Sequence, residues 1–248
     1  MKVLGIIPSR YGSSRFPGKP LIDIDGKSMI QRVYEGASKS ELIDKVIVAT
    51  DDDRIFQEVQ SFGGEVAMTS PDHQSGTDRC GEVLKSFSDY DIVINIQGDE
   101  PLIEASQLDQ LIGAFKNNEV QIATIVKPIS NAEDIRNPNR IKVVLDNQKR
   151  ALYFSRSPIP HVANTNHDQW LKSSIFFKHI GIYAWRSEVL NELVQLEPTA
   201  LEKSESLEQL RWLYHGYQVH TIESDIETPN IDVPEDVDKV LAVLLGKS

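Results

Sequence analysis

Three short stretches of this 248-residue chain hold side chains able to do chemistry. SRYGSSRFPGKP, residues 9–20, carries Arg10, Arg15 and Lys19 and no acid, in a chain whose formal net charge is −11. INIQGDEP, residues 94–101, ends in Asp99 and Glu100, and NIDVPED, residues 230–236, places Asp232 just before Pro234. The cations suit phosphate oxygens through charge-assisted hydrogen bonds. Gly12 and Gly18 let the backbone come close to a ligand. Mg²⁺ takes one or two carboxylates and fills its remaining positions with substrate phosphates, so few acids are needed, and Asp99, Glu100 and Asp232 are the candidates. Two such ions would polarise an α-phosphate and steady a pyrophosphate leaving group, which is nucleotidyl transfer. The loop is not a Walker A sequence, because five residues separate its glycines and Pro20 follows Lys19. It also lacks the G-x-G-x-x-G of dinucleotide binders. Taken singly, each acid equally suits a helix cap or a turn.

These residues need elements to carry them. Lys2–Pro8, Lys45–Thr50 and Asp91–Ile96 are apolar, β-branched runs that predict buried strands. Met29–Ser38 and Arg54–Phe62 have apolar residues at helical spacing, with Ile55, Phe56, Val59 and Phe62 to one side. The alternation predicts a Rossmann-like α/β fold: a mostly parallel central sheet with helices on both faces. Ligands in such sheets sit beyond the carboxyl ends of the strands, where residues 9–20 and Asp99 fall. The second half is textured differently. ATIVKPI, IKVVLD, ALYFS and HIGIYAW predict strands of a mixed sheet, and SLEQLRWLYHG and VPEDVDKVLAVLL predict helices, the second with Pro234 in its first turn. Residues 162–174 lack periodicity and predict a surface excursion. The expectation is one domain over 1–248 with an elaborated C-terminal half.

Composition narrows the partners. Excess acid argues against broad nucleic-acid binding, which draws on basic surfaces. No apolar run reaches the length of a membrane span. Pro8 and Arg10 end the apolar start too early for a signal-peptide core, which predicts a cytoplasmic protein. Cys80 is the single cysteine and reads as a small buried residue. A noncatalytic nucleotide-binding regulator would keep the basic loop but have no need of both aspartates. A sugar-1-phosphate nucleotidyltransferase is a nearer alternative.

Seven segments in one order resemble the 3-deoxy-manno-octulosonate cytidylyltransferases: IPSRYGSSRFPGKPL, MTSPDHQSGTDR, INIQGDEP, ALYFSRSPIP, HIGIYAWR, LEQLRWL and IDVPEDV. The resemblance runs from Lys2 to about Val240. It implies a GT-A-like nucleotidyltransferase fold and the Mg²⁺-dependent reaction of CTP with 3-deoxy-D-manno-octulosonate (Kdo), giving CMP-Kdo and pyrophosphate for lipopolysaccharide biosynthesis. It also implies a homodimer, with 1–127 mainly nucleotide-binding and 128–248 mainly serving sugar and dimer contacts. By the same resemblance Arg10, Arg15 and Lys19 would grip the triphosphate, and Ser75, Gly76, Thr77 and Gln97 would line the nucleotide site. Asp99 and Asp232 would hold magnesium and, with Lys19, form the catalytic set. Sugar recognition would fall to Arg156, His179, Tyr183, Glu208 and Gln209, with Arg79 a further candidate. An arginine fork suits the carboxylate of Kdo better than a lysine point charge does. His179 and Tyr183 lie four apart on an expected strand and so share a face. Ser9 stands where alanine is common in the family and Trp185 where tyrosine is frequent, and residues 161–178 match poorly. Another sugar acid, such as 8-amino-Kdo or sialic acid, is the alternative acceptor.

Overall fold

The computed structural model describes residues 1–12, 16–166 and 169–246. In chain order the first elements are β1 (Val3–Ser9), β2 (Asp23–Ile24), β3 (Lys27–Ser28), α1 (Met29–Ala37), β4 (Lys45–Thr50), α2 (Asp53–Ser61) and β5 (Val66–Met68). Next come α3 (Gly76–Lys85), β6 (Ile92–Asn95), α4 (Ala105–Gly113), β7 (Ile122–Pro128), α5 (Ala132–Arg136), β8 (Lys142–Leu145) and β9 (Ala151–Ser155). The chain ends with α6 (Trp170–Ser173), β10 (Phe177–Arg186), α7 (Ser187–Leu193), α8 (Ala200–Glu205), α9 (Gln209–Tyr214), β11 (Val219–Glu223) and α10 (Asp236–Leu244). The structure is α/β with a mostly parallel sheet. Two compact units form, residues 1–112 with 184–194 and 228–248, and residues 113–183 with 195–227.

In the first unit the strands run β6-β1-β4-β5, all parallel, and the last residues of β10 follow beside β6. Val3, Leu4, Ile6 and Ile7 are fully buried, as a strand covered on both faces must be. Ser28 caps α1 by accepting from the Gln31 N–H, and Asp52 caps α2 by accepting from Arg54. Ile55 and Val59 of α2 are buried, in keeping with their spacing. Cys80 is buried and makes no disulfide. A separate apolar cluster joins Ile24 and Met29 to Ile231 and Val240, so the C-terminal segment lies against the exit of the basic loop.

In the second unit β7 lies between β11 and β10, parallel to β11, and antiparallel β8 and β9 extend from β10. Two elements depart from the pattern in the sequence. Helix α10 starts at Asp236, beyond Pro234, because the Asp236 carboxylate turns back to accept the N–H groups of Asp232 (3.1 Å) and Val233 (3.2 Å). The aperiodic stretch 162–174, of which His167 and Asp168 lie outside the described residues, contains α6. There Trp170 is buried and stacks on Phe176, ring centroids 5.7 Å apart, in a cluster with Ile129 and Ile135. A four-residue helix is too short to show a 3.6-residue period. Among the described residues no helix is long and apolar enough to cross a membrane.

Candidate active site

Parallel registration brings the strand ends of the first unit to one edge: Ser9 is level with Thr50, and Asn95 with Ile6. Arg10 leaves β1 at this edge and is exposed. The 97–100 turn lies close to the same strand end, since a Cβ on Gly98 would stand 2.9 Å from the Pro8 carbonyl oxygen. Only glycine permits that approach. Gly76, the first residue of α3, is similarly near: its Cβ would meet Asn95 Nδ2 at 3.3 Å and Pro8 Cγ at 3.4 Å. Ser75 caps α3 in a reciprocal box with Asp78, so Ser75, Gly76 and Thr77 form the positive end of a ten-residue helix at this edge. Gln97 is half-buried in the turn after β6.

Lys19 joins the remaining parts. Its ammonium donates to Asp99 Oδ2 (2.9 Å) and to the Ile231 carbonyl (2.7 Å), and it stands 3.8 Å from Asp232 Oδ1. The side chains of Lys19, Asp99 and Asp232 are 14%, 28% and 36% exposed, so the group opens to solvent. The Ile231 N–H donates to the Asp99 carbonyl at 2.9 Å, and this backbone link brings the two aspartates together. Glu100 is buried and accepts from the Thr228 hydroxyl at 3.0 Å, so it anchors the turn.

The basic loop is pinned at its base. The Gly18 N–H donates to the Tyr11 carbonyl at 3.0 Å, and Gly18 takes φ 74°, where any side chain would be strained and would press on the Tyr11 ring. The Arg54 guanidinium lies 3.2 Å from the centre of that ring, and Asp52 holds its fork at 2.9 and 2.7 Å. Hydrogen bonding from that fork is the main cause holding the Asp52 carboxyl below its ordinary range. Arg15 lies outside the described residues. Arg79 is buried, and its guanidinium donates to Asp51 at 2.9 Å and to the Thr69 hydroxyl.

The second unit gathers the other expected residues into two groups. Phe154, His179, Tyr183 and Trp212 form a chain of rings with centroid separations of 5.1, 5.0 and 4.9 Å. Thr124 Oγ1 donates to the Ile182 carbonyl at 2.7 Å, so at 2.8 Å from His179 Nε2 it accepts, which assigns the ring proton to Nε2 and leaves Nδ1 a lone pair. Burial pushes the His179 pKa down to about 3, and burial, helped by Glu208, drives the Tyr183 hydroxyl well above its ordinary value. Both rings are neutral at working pH. Gln209 is buried at the start of α9, with Glu208 in the capping position before it. Arg156 follows β9, and its guanidinium donates to the carbonyls of Glu205 (2.6 Å), Pro138 (3.0 Å) and Ser206 (3.3 Å).

The cytidylyltransferase family model matches residues 4–226. A 3-deoxy-manno-octulosonate cytidylyltransferase of Parabacteroides distasonis is 50% identical, with 100% of both chains covered. One from Cytophaga hutchinsonii is 49% identical, covering 97% of this chain and 96% of that one. The chain belongs to the 3-deoxy-manno-octulosonate cytidylyltransferase family. A solved structure described as CMP:2-keto-3-deoxy-manno-octonic acid synthetase complexed with CTP superposes with TM-score 0.92 at 44% identity over 100% of both chains. A 4-diphosphocytidyl-2C-methyl-D-erythritol synthase from Anaerococcus prevotii, 12% identical with TM-score 0.61 and 98% of each chain covered, shares the fold.

Magnesium, which the family resemblance implies, is tested by the donor set. Asp99 and Asp232 direct carboxylate oxygens at one point where a cation, the Lys19 ammonium, already sits. Among the described residues no group of three or more His, Cys, Asp or Glu side chains could hold a metal. Two carboxylates fit an ion that takes its other ligands from phosphates. No motif in the sequence marks Tyr11, Asp52 and Arg54 as a group. What pointed to them was position, an Asp helix cap directly after a parallel strand at the ligand edge.

Proposed function

We propose that this cytidylyltransferase-family protein transfers CMP from CTP to the anomeric hydroxyl of Kdo. The hydroxyl oxygen forms a bond to the α-phosphorus, the bond between that phosphorus and the bridging oxygen breaks, pyrophosphate leaves, and the hydroxyl proton passes to solvent. The observation that carries the proposal is the convergence of Lys19, Asp99 and Asp232 at the strand ends. Magnesium held by Asp99 and Asp232 would lower the pKa of the attacking hydroxyl and balance charge on the phosphates. Lys19 and Arg10 bind triphosphate oxygens, and the dipole of α3 favours the same anion. Neutral His179 offers Nδ1 as an acceptor for a sugar hydroxyl, and the two guanidinium N–H groups that Arg156 does not give to the three carbonyls suit a carboxylate.

The test is pyrophosphate release with each nucleoside triphosphate against Kdo, 8-amino-Kdo and sialic acid, with and without Mg²⁺. Release needing CTP, Kdo and Mg²⁺ together supports the proposal; release with a sugar 1-phosphate in place of the sugar acid, or CTP binding without release, overturns it. We read the protein as a cytoplasmic homodimer serving lipopolysaccharide synthesis. The exposed Leu152, Ile175 and Tyr214 of the second unit suit subunit contact, and the mass in solution measures it.

A further inference from the structure

Lys142, the first residue of β8, is 0% exposed, yet no step of the proposed reaction uses it. A buried ammonium is costly unless its hydrogens are all bonded. Here each is: Nζ donates to the carbonyls of Asn137 (2.9 Å), Arg140 (2.6 Å) and Arg156 (2.6 Å). Antiparallel pairing sets Lys142 opposite Ser155, so its side chain reaches the chain just where Arg156 leaves β9. The Arg156 guanidinium donates to Pro138, inside the turn whose ends Lys142 holds. Glu205 closes the group by accepting from the Ser155 hydroxyl (2.7 Å) and the Arg156 N–H (2.9 Å).

We infer that Lys142 is a positioning residue for sugar binding, its ammonium fixing the 137–140 turn and the Arg156 backbone so that the Arg156 fork is held ready for the acceptor's carboxylate. The inference rests on the sugar-binding reading of Arg156 and adds to it a residue that does not touch substrate. A hydrophobic side chain of equal length would fill the space but leave three carbonyls without this donor.

The charge environment supplies a readout that packing alone would not. Burial pushes Lys142 down to about 8, with Arg156 pressing the same way and Glu205 and Asp134 opposing. Arg140 offers its carbonyl, and Lys178, level with Lys142 on β10, is engaged by Asp134 and Glu227. Loss of the proton removes one of three donors. Because this value lies below the ordinary 10.5, the folded protein binds fewer protons across that interval and its stability rises with pH there. A weakening of sugar binding over the same interval is therefore not unfolding.

The experiment measures KM for Kdo and for CTP in wild type, Lys142→Met and Arg156→Ala between about pH 7 and about pH 9.5. The expected result is a rise of about tenfold or more in the Kdo KM of Lys142→Met, with the CTP KM changed less than about twofold. Wild type should show its Kdo KM rising as pH passes about 8, a limb absent from Lys142→Met. If Arg156→Ala raises the Kdo KM and Lys142→Met does not, the inference fails and the Arg156 reading stands. If Arg156→Ala leaves it unchanged, the Arg156 reading fails and takes the inference with it. Should Lys142→Met not fold, wild type decides: a flat Kdo KM across the range overturns the inference.

Discussion

The strand-end site of the first unit and the Arg156 cluster of the second both concentrate positive charge, but they surround it differently. Lys19 faces two partly exposed carboxylates, whereas Lys142 and Arg156 each make three bonds to backbone carbonyls. Carboxylates are charged partners that an arriving triphosphate or metal ion can draw away, and exposure to water makes the exchange inexpensive. Carbonyls are fixed by the fold and carry no net charge, so bonds to them hold the side chain in place. The first arrangement suits a group that must change partners during a reaction, the second a group that must be still before substrate arrives.

That contrast can be broken most severely at Lys19. Lys19→Met should lower kcat by about a thousandfold, measured as pyrophosphate release at saturating CTP and Kdo, because a cation meeting charge that develops in the reaction is lost. Asp99→Asn should fall in the same range, and activity within a few-fold of wild type would remove the metal assignment. Arg156→Lys should leave kcat near wild type while raising the Kdo KM by about tenfold to a hundredfold, since a lysine cannot reproduce the fork. A smaller effect belongs to Arg54→Ala, which removes the cation over Tyr11: the CTP KM should rise about threefold to fivefold with the Kdo KM unmoved. A comparable rise in both would show that the clamp serves the whole fold rather than the basic loop.

The smallest expected change concerns His179. With its pKa at about 3 it stays neutral, so the Kdo KM should show no His179 titration between about pH 7.5 and about pH 5.5. Stability behaves oppositely. The unfolded chain takes up a proton near the ordinary 6.5 that the folded ring refuses until about 3, so folding free energy is lost as pH falls through that interval. Urea melts at descending pH measure the loss, and His179→Gln should reduce its slope.

Much of this site is visible in the order of residues. The strands β1, β4 and β6 follow from apolar β-branched runs, and directly after one of them the basic loop stands out by its cations and glycines without acids. The start of α3 at Ser75 is not among the helices that the apolar spacing predicts. Trp170 and Lys142 were not visible in this way. A tryptophan in an aperiodic stretch and a lysine in an apolar strand look the same whether they face solvent or a core, and burial by residues distant in sequence separates the two.

The sequence by itself determined which chemistry is available: a cation-rich loop at a strand end, one aspartate just past a hydrophobic run and another before a proline at a turn, and an arginine before a proline-stiffened turn. Only tertiary structure decided which of these groups meet. Asp99 lies 80 residues from Lys19, and Ile231, whose carbonyl Lys19 also reaches, lies 212 residues away. The reason is physical: caps, turns and strand character depend on neighbouring residues, whereas a lysine between two distant carboxylates exists only once the packing of Ile24, Met29, Ile231 and Val240 has brought those segments together.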